Sequence, residues 1–133
     1  MRANGLCWRV VDAVKGYFSY IKGWILDDFV YISPTQAYAL LKNDENVTLL
    51  DVRTPEKFAQ EYVEGAMLIP LQVLYENISK LQNVKEKKII VYCHNGRKSI
   101  AASRILVKNG FVPLNVKGGI LRWKREGLSV IQN

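Results

Sequence analysis

The chain has 133 residues, 49% of them hydrophobic and 23% charged, with a net charge of +7. That length suits one domain able to bury a proper core, and the composition is ordinary for a globular protein. Two cysteines, Cys7 and Cys93, exclude a disulfide-framed scaffold.

Residues 1–29 read as an N-terminal amphipathic helical extension. Cys7, Val11, Val14, Phe18, Ile21 and Ile25 recur at alternating four- and three-residue steps, with Lys15 and Lys22 beside the stripe. Gly16 and Gly23 weaken such a helix by ~1 kcal/mol each, so it needs a surface to lie on. Arg9, Asp12, Lys15 and Lys22 interrupt it too often for a membrane span or a signal-peptide core, and a cytoplasmic location is expected. Packing on the chain's own domain is the favoured role. A dimer contact and a membrane-surface contact are the alternatives.

Residues 30–133 read as one α/β domain. Val30 to Ser33 is a short strand, and Ser33-Pro34 starts a helix over Thr35 to Leu41. After the polar turn Asn43 to Asn46, Val47 to Val52 is a second strand, ending at Asp51-Val52-Arg53. Thr54-Pro55-Glu56 opens another helix. Gly65 precedes a strand over Ala66 to Ile69, and Pro70 ends it. Leu71 to Leu81 reads as a helix with Leu71, Leu74, Ile78 and Leu81 on one face. Asn83 to Lys87 is a charged turn. Lys88 to Tyr92, with Ile89, Ile90 and Val91 in a row, suits a strand buried on both faces of a parallel sheet. A helix starting near Lys98 or Ser99 runs to Asn109-Gly110. Phe111 to Val116 is the last strand, short or near an edge because of Pro113. Gly118-Gly119 opens a final helix around Trp123, expected as a core anchor. Strands alternating with helices predict a parallel sheet covered on both faces.

The chemistry centres on the loop between the fourth of these strands and its helix, Cys93-His-Asn-Gly96-Arg-Lys-Ser99. Open α/β sheets hold ligands at the carboxyl ends of their strands, and loop N–H groups beside a helix start favour an anion. Gly96 allows the turn or a close approach, and Arg97 and Lys98 add charge at the rim. The pattern suits a nucleophilic thiolate in an anion cradle. A cysteine at a strand end also serves as a small buried hydrophobe; the glycine, the basic pair and the helix start bring the catalytic reading level with that one. His94 adjoins Cys93 in sequence and is expected to face solvent rather than act as a base. Residues 1–84 hold 8 basic and 10 acidic side chains, and residues 85–133 hold 11 and 2. The basic half therefore carries the loop. No aromatic-interleaved RNA motif or helix-turn-helix signature accompanies it, so steering of small anions is expected and nucleic acid is not.

The loop CHNGRKS resembles the active-site loop of the rhodanese family of sulfurtransferases, usually C-x-x-G-x-R or a close variant. LLDVRTPEKFAQEYVEGAMLIPL resembles the family's D-x-R and H-I-x-G-A-x-x-I-P segments, and VKGGILRWKREGLSV its G-G-x-x-x-W-x-x-x-G-x-P-V terminus. The four motifs fall in the family's order between Tyr31 and Val130. The chain departs from them at Lys98, where many members carry Arg, at Tyr62-Val63 in place of His-Ile, and at Ser129 in place of Pro. The change at Lys98 keeps the charge but exchanges a bidentate fork for a mobile point charge.

The resemblance implies a single rhodanese-like domain with a five-stranded parallel sheet and helices on both faces, following the N-terminal extension. It implies a thiosulfate sulfurtransferase: Cys93 is the catalytic residue, His94, Asn95, Gly96, Arg97, Lys98 and Ser99 bind substrate, and Asp51 and Arg53 support the loop. A small anionic donor would leave its outer sulfur on Cys93 as a persulfide, for transfer to cyanide or a thiol. No cofactor and no metal are expected, since nothing resembles a metal-ligand cluster. Two other classes compete. Cysteine-dependent phosphatases and arsenate reductases resemble C-x-x-x-x-x-R, but Ser99 stands where their Arg would be. A non-enzymatic sulfur carrier or interaction module, docked through the N-terminal helix, is the second.

Overall fold

The computed structural model describes residues 29–84 and 88–133. Of the expected N-terminal extension only Phe29 falls within that range, and the boundary drawn at residue 29 lies beside it. The basic end of the turn before the cysteine strand, residues 85–87, is likewise outside the described residues.

Strands and helices alternate as the pattern predicts. The chain begins with β1 (Val30–Ile32) and helix α1 (Pro34–Asn43). Ser33 caps α1 through a capping box, its hydroxyl accepting from the Gln36 N–H while the Gln36 side chain accepts from the Ser33 N–H. Strand β2 (Val47–Asp51) leads to the short helix α2 (Pro55–Gln60), capped by Thr54. Then come β3 (Glu61–Tyr62), β4 (Met67–Leu68) and α3 (Leu71–Leu74), followed by a 3₁₀ segment (Tyr75–Val84). The second half holds β5 (Lys88–Tyr92), α4 (Lys98–Lys108), β6 (Val112–Val116), α5 (Gly119–Arg125) and β7 (Ile131–Gln132).

Five strands form one parallel sheet in the order β1-β6-β5-β2-β4. Strands β2 and β5 pair from Val47 opposite Lys88 to Asp51 opposite Tyr92, so they end side by side. Because successive side chains point to opposite faces, alternate residues build two cores. Leu49, Ile90, Tyr92, Leu114 and Val116 meet Ala37 of α1 and Ile120 and Trp123 of α5. Leu50, Val52, Ile89, Val91 and Cys93 meet Leu74, Leu81, and Ala102 and Leu106 of α4. Trp123 is the core anchor expected of it, with its indole N–H donating to the Ser129 carbonyl at 2.9 Å.

One local expectation is corrected. Leu71 to Leu81 is not one helix: α3 ends at Leu74 and a 3₁₀ segment kinked at Asn77 follows. Steps of three and four residues fit either helix type, and the Asn77 amide competes with the backbone by donating to the Val73 carbonyl at 2.8 Å. Strand β6, five residues long, lies between the edge strand β1 and β5, and so near an edge as Pro113 suggested. Pro113 precedes the β1 ladder, which begins at the Val30–Leu114 pair. Finally, β3 and β7 form a small antiparallel pair, Tyr62 opposite Ile131, that no periodicity announced.

Candidate active site

The side-by-side ends of β2 and β5 bring two connections together: Val52 to Thr54 after β2, and Cys93 to Arg97 after β5. The Val52 N–H donates to the Tyr92 carbonyl at 3.1 Å, extending the ladder to the rim of the sheet. Here the sheet's own register sets the distance between the D-x-R segment and the cysteine loop.

In the cysteine loop the backbone wraps around sulfur. Cys93 Sγ accepts from the N–H of Gly96 at 3.1 Å and of Ser99 at 3.3 Å, and the thiol donates to Ser99 Oγ at 3.4 Å. Ser99 is fully buried, in the first turn of α4. The Asn95 side chain closes the outer turn by accepting from the Arg97 N–H at 3.2 Å. Gly96 has φ +97°, the left-handed region that disfavours any side chain. A Cβ there would also sit 2.8 Å from the Gly118 nitrogen. Arg97 and Lys98 are exposed at the rim.

Beneath the loop lies the Gly118-Gly119 turn, which the sequence marks only as the start of a helix. The first turn of α5 that follows it holds the loop in place: the Ile120 N–H donates to the Cys93 carbonyl at 2.9 Å and the Leu121 N–H to the His94 carbonyl at 3.1 Å. Since a trans peptide points its N–H opposite its C=O, this turns the His94 and Asn95 N–H groups away from the turn. Gly119 has φ +62°, and a Cβ on it would overlap the Cys93 and His94 carbonyl oxygens. The paired glycines are a requirement of backbone-to-backbone contact.

The second connection is closed by a buried ion pair. The Arg53 guanidinium donates to both carboxylate oxygens of Asp51, at 2.7–3.0 Å, and to the Glu61 carbonyl at 2.6 Å. The Arg53 N–H also donates to Asp51 at 2.9 Å. Both side chains are essentially buried, and the guanidinium lies 5.6 Å from the Tyr92 ring centre. Burial disfavours the charged guanidinium, yet the hydrogen bonds and charge of Asp51 hold it above its ordinary value. The Tyr92 hydroxyl accepts from the Val63 N–H at 3.1 Å. Burial, and next the Asp51 carboxylate, keep it protonated well above the usual phenol range. Asp51 and Arg53 thus occupy each other and stiffen the wall beside the loop.

Between the two connections opens a pocket of about 210 Å³, lined by Arg53, Thr54 and Lys57 on one side and by Cys93, His94, Asn95, Arg97 and Lys98 on the other. Cys93 is 1% exposed. His94 does not simply face solvent: it is half-buried in the pocket wall. Burial, then the positive charges of Lys57, Arg53 and Lys124, hold its pKa below the ordinary value against a weaker pull from Glu61. The structure therefore brings Cys93, His94, Asn95, Arg97, Lys98 and Arg53 onto one cavity, with Gly96 in the loop's turn, Ser99 behind the sulfur and Asp51 behind Arg53. Thr54 and Lys57 are additions that motif reading passed over. The available signal was the Thr54-Pro55 helix start directly after the D-x-R segment, which fixes Lys57 in the first turn of α2. Among the described residues, no group of three or more His, Cys, Asp or Glu side chains could hold a metal ion.

Comparison with known proteins agrees with this geometry. Residues 33–126 match the family model described as Rhodanese-like domain. A sulfurtransferase of Allochromatium vinosum is 33% identical over 92 residues, covering 68% of this chain and 84% of that protein. The thiosulfate sulfurtransferase GlpE of Actinobacillus pleuropneumoniae is 31% identical over 105 residues, covering 78% and 94%. Among solved structures, a rhodanese-related protein of Thermoplasma volcanium superposes with a TM-score of 0.70 at 31% identity, covering 77% of this chain and 98% of that one. A rhodanese-like domain protein of Staphylococcus aureus gives 0.67 at 29%, with the same coverage. With a parallel sheet in this order, a cysteine loop at its carboxyl edge and a family match spanning most of its length, the chain belongs to the rhodanese-like domain family.

Proposed function

We propose that this protein is a sulfurtransferase that carries sulfur on Cys93, with thiosulfate or a similar small anion as donor. The observation that carries the reading is the position of Cys93 Sγ, held by the Gly96 N–H of the loop and the Ser99 N–H of the first turn of α4 at the base of a pocket with basic walls. Backbone donors of this kind favour negative sulfur, whether thiolate or persulfide, and cost no reorganisation during the reaction. The Cys93 thiolate attacks the outer sulfur of thiosulfate, the S–S bond breaks, and sulfite leaves with the bonding pair. The outer sulfur remains on Cys93 as a persulfide. Cyanide or a thiolate then attacks it, and Cys93 leaves as thiolate. Such a cycle is ping-pong. Arg97 and Lys98 face the donor's remaining charge, while Asp51 and Arg53 hold the adjoining wall.

Phosphoryl chemistry fits less well. The residue at the phosphate-clamping place is Ser99, which is buried with its N–H turned to Sγ and offers no bidentate fork to a ligand. No helix among the described residues is long and apolar enough to cross a membrane; a cytoplasmic setting is part of the proposal.

The test is a mass measurement. Thiosulfate should add about 32 Da, one sulfur, to Cys93, and cyanide should remove it as thiocyanate. Cys93→Ser should lower thiocyanate formation by on the order of a thousandfold or more, as loss of a covalent nucleophile does. Full transfer by that variant, or Cys93-dependent hydrolysis of aryl phosphates without sulfur transfer, would refute the reading.

A further inference from the structure

The pocket holds more positive charge than one small donor at Cys93 calls for. Of its four cationic side chains, Arg53 is neutralised by Asp51. Lys57, Arg97 and Lys98 take part in none of the ion pairs among the described residues. No carboxylate lines the cavity; Glu61, the acidic group felt at His94, is engaged by Lys124 at 2.6 Å and by Gln132 at 3.3 Å. The cations also stand on opposite walls. Arg97 and Lys98 belong to the cysteine loop, whereas Lys57 comes from α2, across the pocket.

The two walls are chemically different as well. On the loop side, charge lies next to the N–H groups that hold Sγ, where a donor's leaving group develops. On the α2 side, Lys57 stands with Thr54, the cap of that helix, and the paired Arg53. A charge there belongs to a different element from the loop that holds Sγ. The cavity volume, about 210 Å³, is below the roughly 300–1,000 Å³ of sites for drug-sized ligands. That space suits a small molecule.

We propose that the acceptor taken from this pocket is a low-molecular-weight thiol bearing a carboxylate, and that Lys57 binds that carboxylate and sets the preference for anionic over neutral and cationic thiols. This rests on the sulfurtransferase reading above and names the substrate class for its second half. The acceptor thiolate attacks the outer sulfur of the Cys93 persulfide. A new S–S bond forms on the acceptor, the bond between Cys93 Sγ and the outer sulfur breaks, and its electron pair stays on Cys93 as thiolate. Lys57 touches neither sulfur; it orients the acceptor by its far end.

A charge series of small thiols tests this on the whole protein. Cys93 is loaded with sulfur by thiosulfate and, separately, by inorganic polysulfide, and loading is followed by mass. Discharge of the persulfide is then timed with mercaptosuccinate, 2-mercaptoethanol and cysteamine, each compared at equal thiolate concentration. The wild-type rate should fall in that order. Lys57→Gln should reduce the mercaptosuccinate-to-cysteamine ratio about threefold to fivefold, the range of one exposed ion pair. Lys57→Glu should reverse the ratio, Lys57→Arg should keep it, and 0.5 M salt should flatten it in the wild type. A structural role for Lys57 would shift all three thiols together and leave the ratio intact. An unchanged ratio in Lys57→Gln, with Cys93 still loading, overturns this proposal alone. Failure of Cys93 to load from either donor overturns the sulfurtransferase reading and this proposal with it.

Discussion

Two connections leave the same edge of the sheet, one strand apart, and they use charge in opposite ways. After β2, Arg53 reaches back to Asp51 two residues earlier, and the pair is sealed against Tyr92 with neither side chain more than 3% exposed. After β5, Arg97 and Lys98 point outward with no carboxylate partner among the described residues, and the interior of the loop holds sulfur instead. A buried pair is poor at attracting a ligand because its field is spent internally, but removing one member is costly. Unpaired rim charges add little stability and are free to meet an anion. In the proposed function one connection is a brace and the other a receptor, and the same residue type serves both.

The comparison breaks most visibly at the brace. Asp51→Ala leaves the Arg53 guanidinium buried and unpaired, and should cost about 3–5 kcal/mol of stability. Urea denaturation should show the midpoint falling. A double variant that also replaces Arg53 by Met should recover much of the loss, because no unpaired charge then remains. Wild-type stability in Asp51→Ala would mean the pair is not a brace.

The receptor should respond the other way. Arg97→Ala combined with Lys98→Ala should leave the urea midpoint within about 0.5 kcal/mol, as exposed substitutions do. It should lower kcat/KM for thiosulfate tenfold or more, since each charge-assisted contact formed in the transition state is worth about 1.5–3 kcal/mol. A weakly charged donor should suffer less. An equal loss for both donors would show that these residues act by shaping the loop.

A smaller effect joins the two sides through His94, whose wall position brings it near Lys57, Arg53, Lys124 and Glu61. Its pKa is lowered in the folded protein, so between that value and the unfolded value near ~6.5 the unfolded chain binds more protons. Stability is then fully present above ~6.5 and falls as pH drops through that window. His94→Gln should flatten this part of the stability–pH curve, while the losses at lower pH remain. Those belong to Asp44, Glu61 and Glu126, which are held below their ordinary values: Asp44 and Glu61 mainly by hydrogen bonds from Lys88 and Lys124, Glu126 against burial by bonds from Thr35 and Arg122. A His94→Gln curve superimposable on the wild type would contradict the assignment.

The smallest effect expected is at the back of the loop helix. Ser103 Oγ is buried on α4 without a hydrogen-bond partner. Replacing an unsatisfied buried hydroxyl by a methyl removes a desolvation cost, so Ser103→Ala should be neutral or stabilising by up to about 1 kcal/mol, read from the same urea curves. A marked destabilisation would mean that the hydroxyl has a partner, such as an internal water.

What could be read from the sequence was what a few neighbouring residues enforce by themselves. The run Ile89-Ile90-Val91, the loop with Gly96, and the spacing after Ser99 each act over one strand or one turn, so strand, loop and helix start all fall where they were expected. Cys93 was legible for the same reason, because its place between them needs no distant partner. Where local rules are ambiguous the reading failed: steps of three and four residues from Leu71 to Leu81 satisfy an α-helix and a 3₁₀ segment alike. Pairing between segments decided everything else. Only the β2–β5 register brings Asp51 and Arg53 beside Cys93, and only the packing of α5 under the loop explains Gly119. The meeting of Tyr62 with Ile131, and of Lys57 with the cysteine loop, joins residues with no common local pattern. Such contacts arise from the folded surface as a whole, since it is chain crossing and sheet order that set which side chains share a cavity.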